Sequence, residues 1–581
     1  MLRHSISTRT LILVLLPALI GLGACDREAP PAPDANVVEG AEQAAAPALI
    51  DSDFSSTLLD DIKTLSSDEF GGRQPGSDGE QRTIDYVTSR FRAIGLEPAN
   101  GDSYLQAVPL VEITATGIDP LRFTAADGEQ ITFAAPAEAV VWTKRVTEAS
   151  AVDDSDVVFV GYGINAPEYD WNDYAGLDVR GKTVIILVND PGYATGDPAL
   201  FTGKAMTYYG RWTYKYEEAA RQGAALALIV HEEGAAGYPF DVVQGSWTGP
   251  QFDLISDNRN MDRAALEGWL SGESAARLFA AAGEDLATLT AAAAERGFAA
   301  KPLPLKASGG LRNTFRTIES HNIAGILPGA THPDEYFIYT AHWDHLGTDP
   351  DAAGDGIYNG AVDNATGVGA LLALAETFAA APRTARSVIF LAVTAEESGL
   401  LGSRYYGEHP LYPLAQTVAG VNMDALNVHG PMRDLVVIGH GASELEPLAE
   451  RLAAAQGRYI RPDPNAEKGF YYRSDHFNLA KYGIPMLYAK GGQDHFEFGQ
   501  EYGARQAADF TRERYHKPAD EYGEWWDIRG MQQDVALYYR LGRELADGDA
   551  WPNWYEGNEF RAIRDRSRAQ VRETPDQSSM D

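Results

Sequence analysis

The chain has 581 residues, enough for a large enzyme domain with an insert. Hydrophobic residues make up 44% and charged residues 23%, which excludes a disordered or fibrous chain. With 83 acidic against 48 basic residues the net charge is −35, a surface that repels phosphate backbones and excludes general nucleic-acid binding. The single cysteine excludes internal disulfides, Cys-x-x-Cys redox chemistry and thiolate-held zinc, so a metal has to be held by His, Asp and Glu.

Arg3 and Arg9 precede an apolar run from Leu11 to Ala24 that is too short to span a bilayer. Leu22-Gly23-Ala24-Cys25 resembles the lipobox of bacterial lipoproteins. The resemblance implies a lipoprotein signal peptide over 1–24, acylation of Cys25, and a lipid-anchored protein of the bacterial cell envelope facing the periplasm. Residues 25–48 are rich in Pro, Ala and Glu, lack apolar periodicity and read as a flexible tether.

Order is expected from about residue 49. Ile84, Val87, Phe91 and Ile94 recur at helical spacing, which predicts an amphipathic helix over 84–96 stopped by Gly95. From about 115 to 305 the texture becomes short apolar runs at 157–160, 183–188 and 225–230, with a helical pattern at 216–222, and this predicts a β-rich insert. Gly161-Tyr162-Gly163-Ile164, Trp171, Asp173-Tyr174, the run from Leu177 to Lys182 and then Ala219 to Gly223 resemble the protease-associated domain inserted in several exopeptidases.

After about residue 305 the rhythm is strand, loop, helix. Apolar runs at 336–340, 387–393, 418–421, 435–438 and 484–488 alternate with helical patterns such as 370–381 and 444–455. The expected fold is α/β, a mixed central sheet with helices on both faces, formed by 49–114 and 306–557 around the 115–305 insert. Residues 558–581 are charged and poor in apolar groups, and are expected to form a peripheral or frayed tail.

In such a sheet, functional groups collect at the carboxyl ends of the strands. His342-Trp343-Asp344-His345 follows the first strand, Glu396-Glu397 the second and Asp424 the third; Asp363 precedes an apolar helix, and His516 stands in Tyr515-His516-Lys517-Pro518. Carboxylates behind buried strands cost desolvation energy unless compensated, and divalent metal is the usual compensation. Asp363, Asp424, Glu397 and a hydroxide balance two divalent ions.

The ordered set His342-x-Asp344, Asp363, Glu396-Glu397, Asp424, His516 resembles the co-catalytic di-zinc exopeptidases of metallopeptidase family 28, which include aminopeptidases and glutamate carboxypeptidase. The resemblance implies two zinc ions, other divalent metals being admissible. Asp363 would bridge them, His342 and Asp424 would complete one site, and Glu397 and His516 the other. Glu396 is implied as general base toward a metal-bridged hydroxide, Asp344 as the carboxylate orienting His342, and Asp520 as a similar group near His516. Tyr471, with Tyr472 as rival, matches a tyrosine that hydrogen-bonds the tetrahedral intermediate, and plain aromatic packing is an equal reading. His476 lies near the site without being a ligand, His345 reads as structural or substrate-facing, and Trp343, Trp525 and Trp526 read as walls or core.

The activity implied is removal of N-terminal residues from peptides. Alternatives are a glutamate carboxypeptidase-like enzyme, an inactive receptor-like relative and a single-zinc cyclotransferase. A free ammonium calls for carboxylates and a free carboxylate for arginine, and Arg404, Arg473 and Arg514 are near the motifs without being placed by the sequence. Side-chain preference and oligomeric state stay open.

Overall fold

The computed structural model describes residues 55–247 and 249–573. The signal segment, Cys25, the tether and residues 574–581 lie outside the described residues. No described helix is long and apolar enough to cross a membrane.

Residues 306–557, together with 55–114, form a mixed sheet. Strands His332–His342, Arg386–Val393, Thr417–Asn422 and Met486–Gly491 are largely buried and run parallel to one another. Fully buried strands read as continuous apolar runs, which is why these four are legible in the sequence. Asp434–Val437 pairs antiparallel to Met486–Gly491 and carries Tyr459–Pro462 in parallel. Helices cover the sheet. Thr366–Ala380 is buried through most of its length, and Arg529–Asp547 buries Met531, Val535, Leu537 and Leu541 in the same core. The N-terminal segment belongs to this core as well: Leu58, Ile62, Val87 and Phe91 join the cluster, and helix Asp78–Ile94 contains the periodic residues expected of it.

One 27-residue strand, Lys301–Leu327, links the two halves. Its end pairs with Arg386–Val393, its middle with Leu105–Ile118, and its start with Ala149–Phe159 and Leu121–Ala125. Boundaries at 115 and 305 therefore fall inside continuous strands. The insert has hydrophobic clusters of its own. It is more helical than a β-rich reading anticipates. Parallel strands Thr183–Leu187, Leu226–Val230 and Leu266–Leu270 are flanked by helices Trp212–Arg221, Gly272–Ala281 and Leu286–Ala293.

The tail is helical and anchored at particular residues: helix Arg561–Glu573 sends a buried Arg564 to the carbonyls of Thr417 and Val418 at 2.8 and 2.7 Å. Trp554 and Phe560 pack with Phe477, Tyr472 and the insert's Met206. A few large anchors hold a segment whose average composition is polar.

Candidate metal centre

The carboxyl ends of the parallel strands converge on one cleft. His342 is the last residue of its strand, and Glu396-Glu397 follow Arg386–Val393 by a turn in which Ala395 takes a left-handed φ of +53°. Asp424 follows Thr417–Asn422 and is itself followed by Ala425 at φ +52°, while His516 has φ +56°. Left-handed conformations at non-glycine residues are strained and collect at functional sites, and here they turn the chain away from the sheet so that successive side chains face different ways. Asp363 precedes the buried helix Thr366–Ala380, and the Asp363–Asn364 peptide is cis.

All five expected ligands come together. His342 Nε2 lies 3.2 Å from Asp363 and 3.5 Å from Asp424; His516 Nε2 lies 3.4 Å from the other oxygen of Asp363 and 3.0 Å from Glu397. Asp363 thus sits between two histidines. Ligand atoms of His342, Glu396 and Asp424 fall within 4.8 Å of one another, as do those of His345, Asp363 and Glu397. Both His342 Nε2 and His516 Nε2 are buried without a hydrogen bond of acceptable geometry, although carboxylate oxygens face them. Orphaned imidazole nitrogens aimed among carboxylates fit divalent metal, and His plus carboxylate is a donor set of catalytic zinc.

Electrostatics point the same way. Burial, then Glu397, Asp424 and Asp475, push the Glu396 carboxyl well above the usual range. Burial alone would strip the proton from His342, but Glu396, Asp363 and Asp424 hold it on. The pocket is short of positive charge, which metal ions would supply.

The surrounding groups are placed differently from the sequence reading in two respects. Asp344 does not grip His342 through its carboxylate, which stands 3.8 Å from Nδ1; its backbone carbonyl, at 3.2 Å, faces that nitrogen. The carboxylate instead accepts from the backbone amides of Glu396 at 3.0 Å and Glu397 at 3.3 Å. Tyr471 is not in the cleft. It stacks edge-on against His476 and lines an adjoining cavity of about 180 Å³, and the acids acting on its hydroxyl, after burial, are Glu559 and Glu446. Tyr515, stacked on His516 at 3.9 Å, and Tyr488 are the tyrosines that feel Asp363, Glu396 and Asp424. Tyr472, the rival, packs in the aromatic junction with the tail.

Other residues fall into place. Asp520 accepts from the amides of Val362 and Asp363, each at 3.0 Å. His345 Nδ1 lies 2.6 Å from Glu397 and steers that carboxylate. His476 is buried, and its pKa is pushed down to about 3 by burial, which keeps the ring neutral. Trp343 is core, whereas Trp525 is exposed and stacks on His429; Trp526 packs on the edge of the peptidase core.

The insert supplies one wall of the cleft, a space of about 500 Å³ that contains His345, Glu397 and His516 on one side and Arg211, Trp212 and Trp247 on the other. Arg211 and Arg473 both line it, with Nε of each and one Nη of Arg473 buried and unpartnered. Of the arginines near the motifs, Arg404 is bound to Asp253 and Glu408, and Arg514 lies over Trp525. The sequence reading missed Arg211, because nothing in the spacing ties residue 211 to residues 397 and 516.

A sheet whose carboxyl edge gathers histidines and carboxylates around imidazole nitrogens without hydrogen bonds has the donor set of a metal-binding site. Residues 322–538 match the model of Peptidase family M28. Aminopeptidase NAALADL1 of Mus musculus is 34% identical over 120 residues, 20% of this chain and 15% of that protein. A probable zinc metalloprotease of Pyrenophora tritici-repentis is 35% identical over 104 residues, 18% of this chain and 23% of that protein. The matches thus span less than a quarter of these relatives. Among solved structures, the aminopeptidase from Aneurinibacillus sp. strain AM-1 superposes with a TM-score of 0.45 at 18% identity, covering 84% of this chain and 93% of that one. The zinc aminopeptidase BSAP from Bacillus subtilis gives 0.40 at 18% identity, covering 85% and 96%.

Proposed function

We propose that the chain is a zinc-dependent exopeptidase that removes N-terminal residues from peptides. The observation that carries the hydrolase reading is the pair of buried imidazole nitrogens, Nε2 of His342 and Nε2 of His516, that face the shared carboxylate of Asp363 without a hydrogen bond of acceptable geometry. The N-terminal direction draws on the name of the mouse relative, an aminopeptidase.

His342, Asp363 and Asp424 would hold one ion, and Asp363, Glu397 and His516 the other. Ions there supply Lewis acidity and the positive charge that the acids lack. Glu396, with its carboxyl pKa raised by burial and neighbouring acids, takes a proton from the attacking water and returns it to the leaving amine. Asp344 fixes the backbone of the Glu396-Glu397 turn, Asp520 fixes that of Asp363, and Ser474 donates to Asp424 at 2.7 Å. The insert, read as a protease-associated domain, closes the cleft and selects peptides by their termini.

A second reading, cleavage from the carboxyl end, is favoured by Arg211 and Arg473. Two guanidiniums with unpartnered nitrogens in an acid-rich protein suit a substrate carboxylate. Matched peptides with a free, acetylated or amidated end, digested and read by mass spectrometry beside metal analysis, separate the two. Loss of cleavage on acetylation supports the aminopeptidase. Loss on amidation, with Arg473→Met raising KM about 10-fold for free-acid peptides only, supports the carboxypeptidase. A protein without bound metal and without turnover on any peptide refutes both. Lipid attachment at Cys25 in the cell envelope is part of the proposal, and recovery of Cys25 as a free thiol in purified envelope protein would refute it.

A further inference from the structure

Arg73 lies far from residues 322–538 in sequence, at the end of the turn Asp68–Arg73, with its own φ at +51°. Its side chain is 1% exposed and touches no carboxylate. Every donor it uses goes to a backbone carbonyl: Nε to Trp343 at 2.8 Å, one Nη to Leu65 at 2.7 Å and Asn359 at 2.6 Å, and the other Nη to Gly360 at 2.9 Å. Its own carbonyl accepts from the amide of His345 at 3.4 Å.

These partners are not scattered. Trp343 stands between His342 and Asp344, and Asn359-Gly360 immediately precede the turn that delivers Asp363. One planar fork therefore ties the loop carrying one imidazole to the loop carrying the shared carboxylate, across segments 270 to 287 residues away along the chain. A rigid guanidinium with donors on several sides meets that geometry; an ammonium on a flexible stem does not. The approach is built in at Gly72, where a Cβ would meet the carbonyl of Gly347 at 2.3 Å.

We infer that Arg73 is a positioning residue of the metal centre, setting the separation of His342 and Asp363 by clamping the carbonyls behind them. This rests on the reading of the cleft as a zinc site. It also explains why a buried cation lies so near groups that would hold cations: the fork supplies shape that no neutral side chain of that reach provides.

Arg73→Lys keeps the charge and loses the fork; Arg73→Gln loses the charge and keeps a planar donor. Zinc affinity is measured by competition with a chromophoric chelator, beside melting temperature with and without zinc, and kcat and KM on a short peptide. Groups that orient metal ligands typically cost 10- to 100-fold in affinity or activity when changed, and that loss in zinc affinity is expected for Arg73→Lys. KM should stay within about twofold, and the rise in melting temperature on adding zinc should shrink relative to the parent. Equal zinc affinity in Arg73→Lys and the parent, or an equal fall in melting temperature with and without zinc, overturns the inference. Failure of both variants to fold overturns it too, by making Arg73 a determinant of the fold. A parent chain that takes up no zinc refutes the zinc reading itself.

Discussion

The carboxylate of Asp344 accepts the backbone amide of Glu396 at 3.0 Å, so the residue two after the first histidine holds the turn that presents both glutamates. The second oxygen takes the amide of Glu397 at 3.3 Å, and burial pushes the Asp344 carboxyl up to about 7. Both oxygens must accept. Asp344→Asn presents one oxygen and one N–H to two N–H groups, and so sets one amide against a donor. Bound zinc and turnover are both expected to fall 10- to 100-fold, the range found when groups behind metal ligands are altered. Metal analysis beside initial rates checks this, and an unaltered variant would mean that the turn holds itself.

Much of this site is readable without coordinates. Buried parallel strands are apolar runs, and charged residues placed just behind such runs stand out, which is how His342, Glu396-Glu397 and Asp424 are found. Arg73, Arg211 and the true partners of Asp344 are not readable: Arg73 reaches carbonyls up to 287 residues away and Asp344 amides 52 and 53 residues away, backbone groups common to every residue, and Arg211 reaches the cleft from the insert. Tyr471 shows the opposite error: closeness in sequence to Ser474 and His476 suggests a place in the cleft, but the short turn Phe470–Tyr472 directs its ring toward Gly439 and His476. In the insert, the helix Leu286–Ala293 escapes notice because its alanine-rich run has little amphipathic contrast.

Asp253 joins the insert to the peptidase half. Its oxygens lie 3.0 Å from Lys144 and 3.2 Å from Arg404, on the helix Leu401–Glu408 that follows the glutamate pair. Burial raises its pKa, but Lys144, Arg404 and Arg263 outweigh burial and bring it from 3.8 down to about 2. A carboxylate depressed in the folded state stabilises above its unfolded pKa, and that contribution disappears as pH falls through the folded value. Asp253→Asn is expected to cost about 3 kcal/mol at neutral pH, because it takes the carboxylate from partly buried Lys144 and leaves Arg404 with Glu408 alone. In melting curves across pH the gap between variant and parent should hold above 3.8 and close toward about 2. A gap independent of pH would assign the loss to packing.

Arg564 ties the end of the described chain to the sheet that carries Asp424. Its guanidinium donates to Thr417 and Val418, the first residues of the strand Thr417–Asn422, and burial lowers its pKa to about 9. Arg564→Met keeps the bulk against Trp551 and removes two buried charge-assisted hydrogen bonds to carbonyls, at an expected cost of about 3 kcal/mol. Chemical denaturation measures it. An effect on zinc content larger than the effect on stability is not expected, since the strand's far end, not its start, bears Asp424.

Glu396 and Glu397 are adjacent, yet the structure sends them to different neighbours. Glu397 lies 3.0 Å from His516 and 2.6 Å from His345, on the His516 side of Asp363, while Glu396 falls with His342 and Asp424. Both are held by one turn through Asp344, so substitution of either side chain leaves the backbone support of the other in place. Glu397→Ala removes a carboxylate from the trio that would hold the second ion, and zinc should fall below two per chain. Glu396→Gln keeps the shape and removes only the basicity. It should retain both ions and lose turnover by about 10²- to 10⁴-fold, the range associated with a positioned general base. Inductively coupled plasma mass spectrometry beside initial rates on one short peptide tests both variants together. A Glu396→Gln chain depleted of metal but active, or a Glu397→Ala chain with two ions and no turnover, would exchange the two roles. The neighbours His345 and His516 would then have to be read as orienting a base and not a ligand.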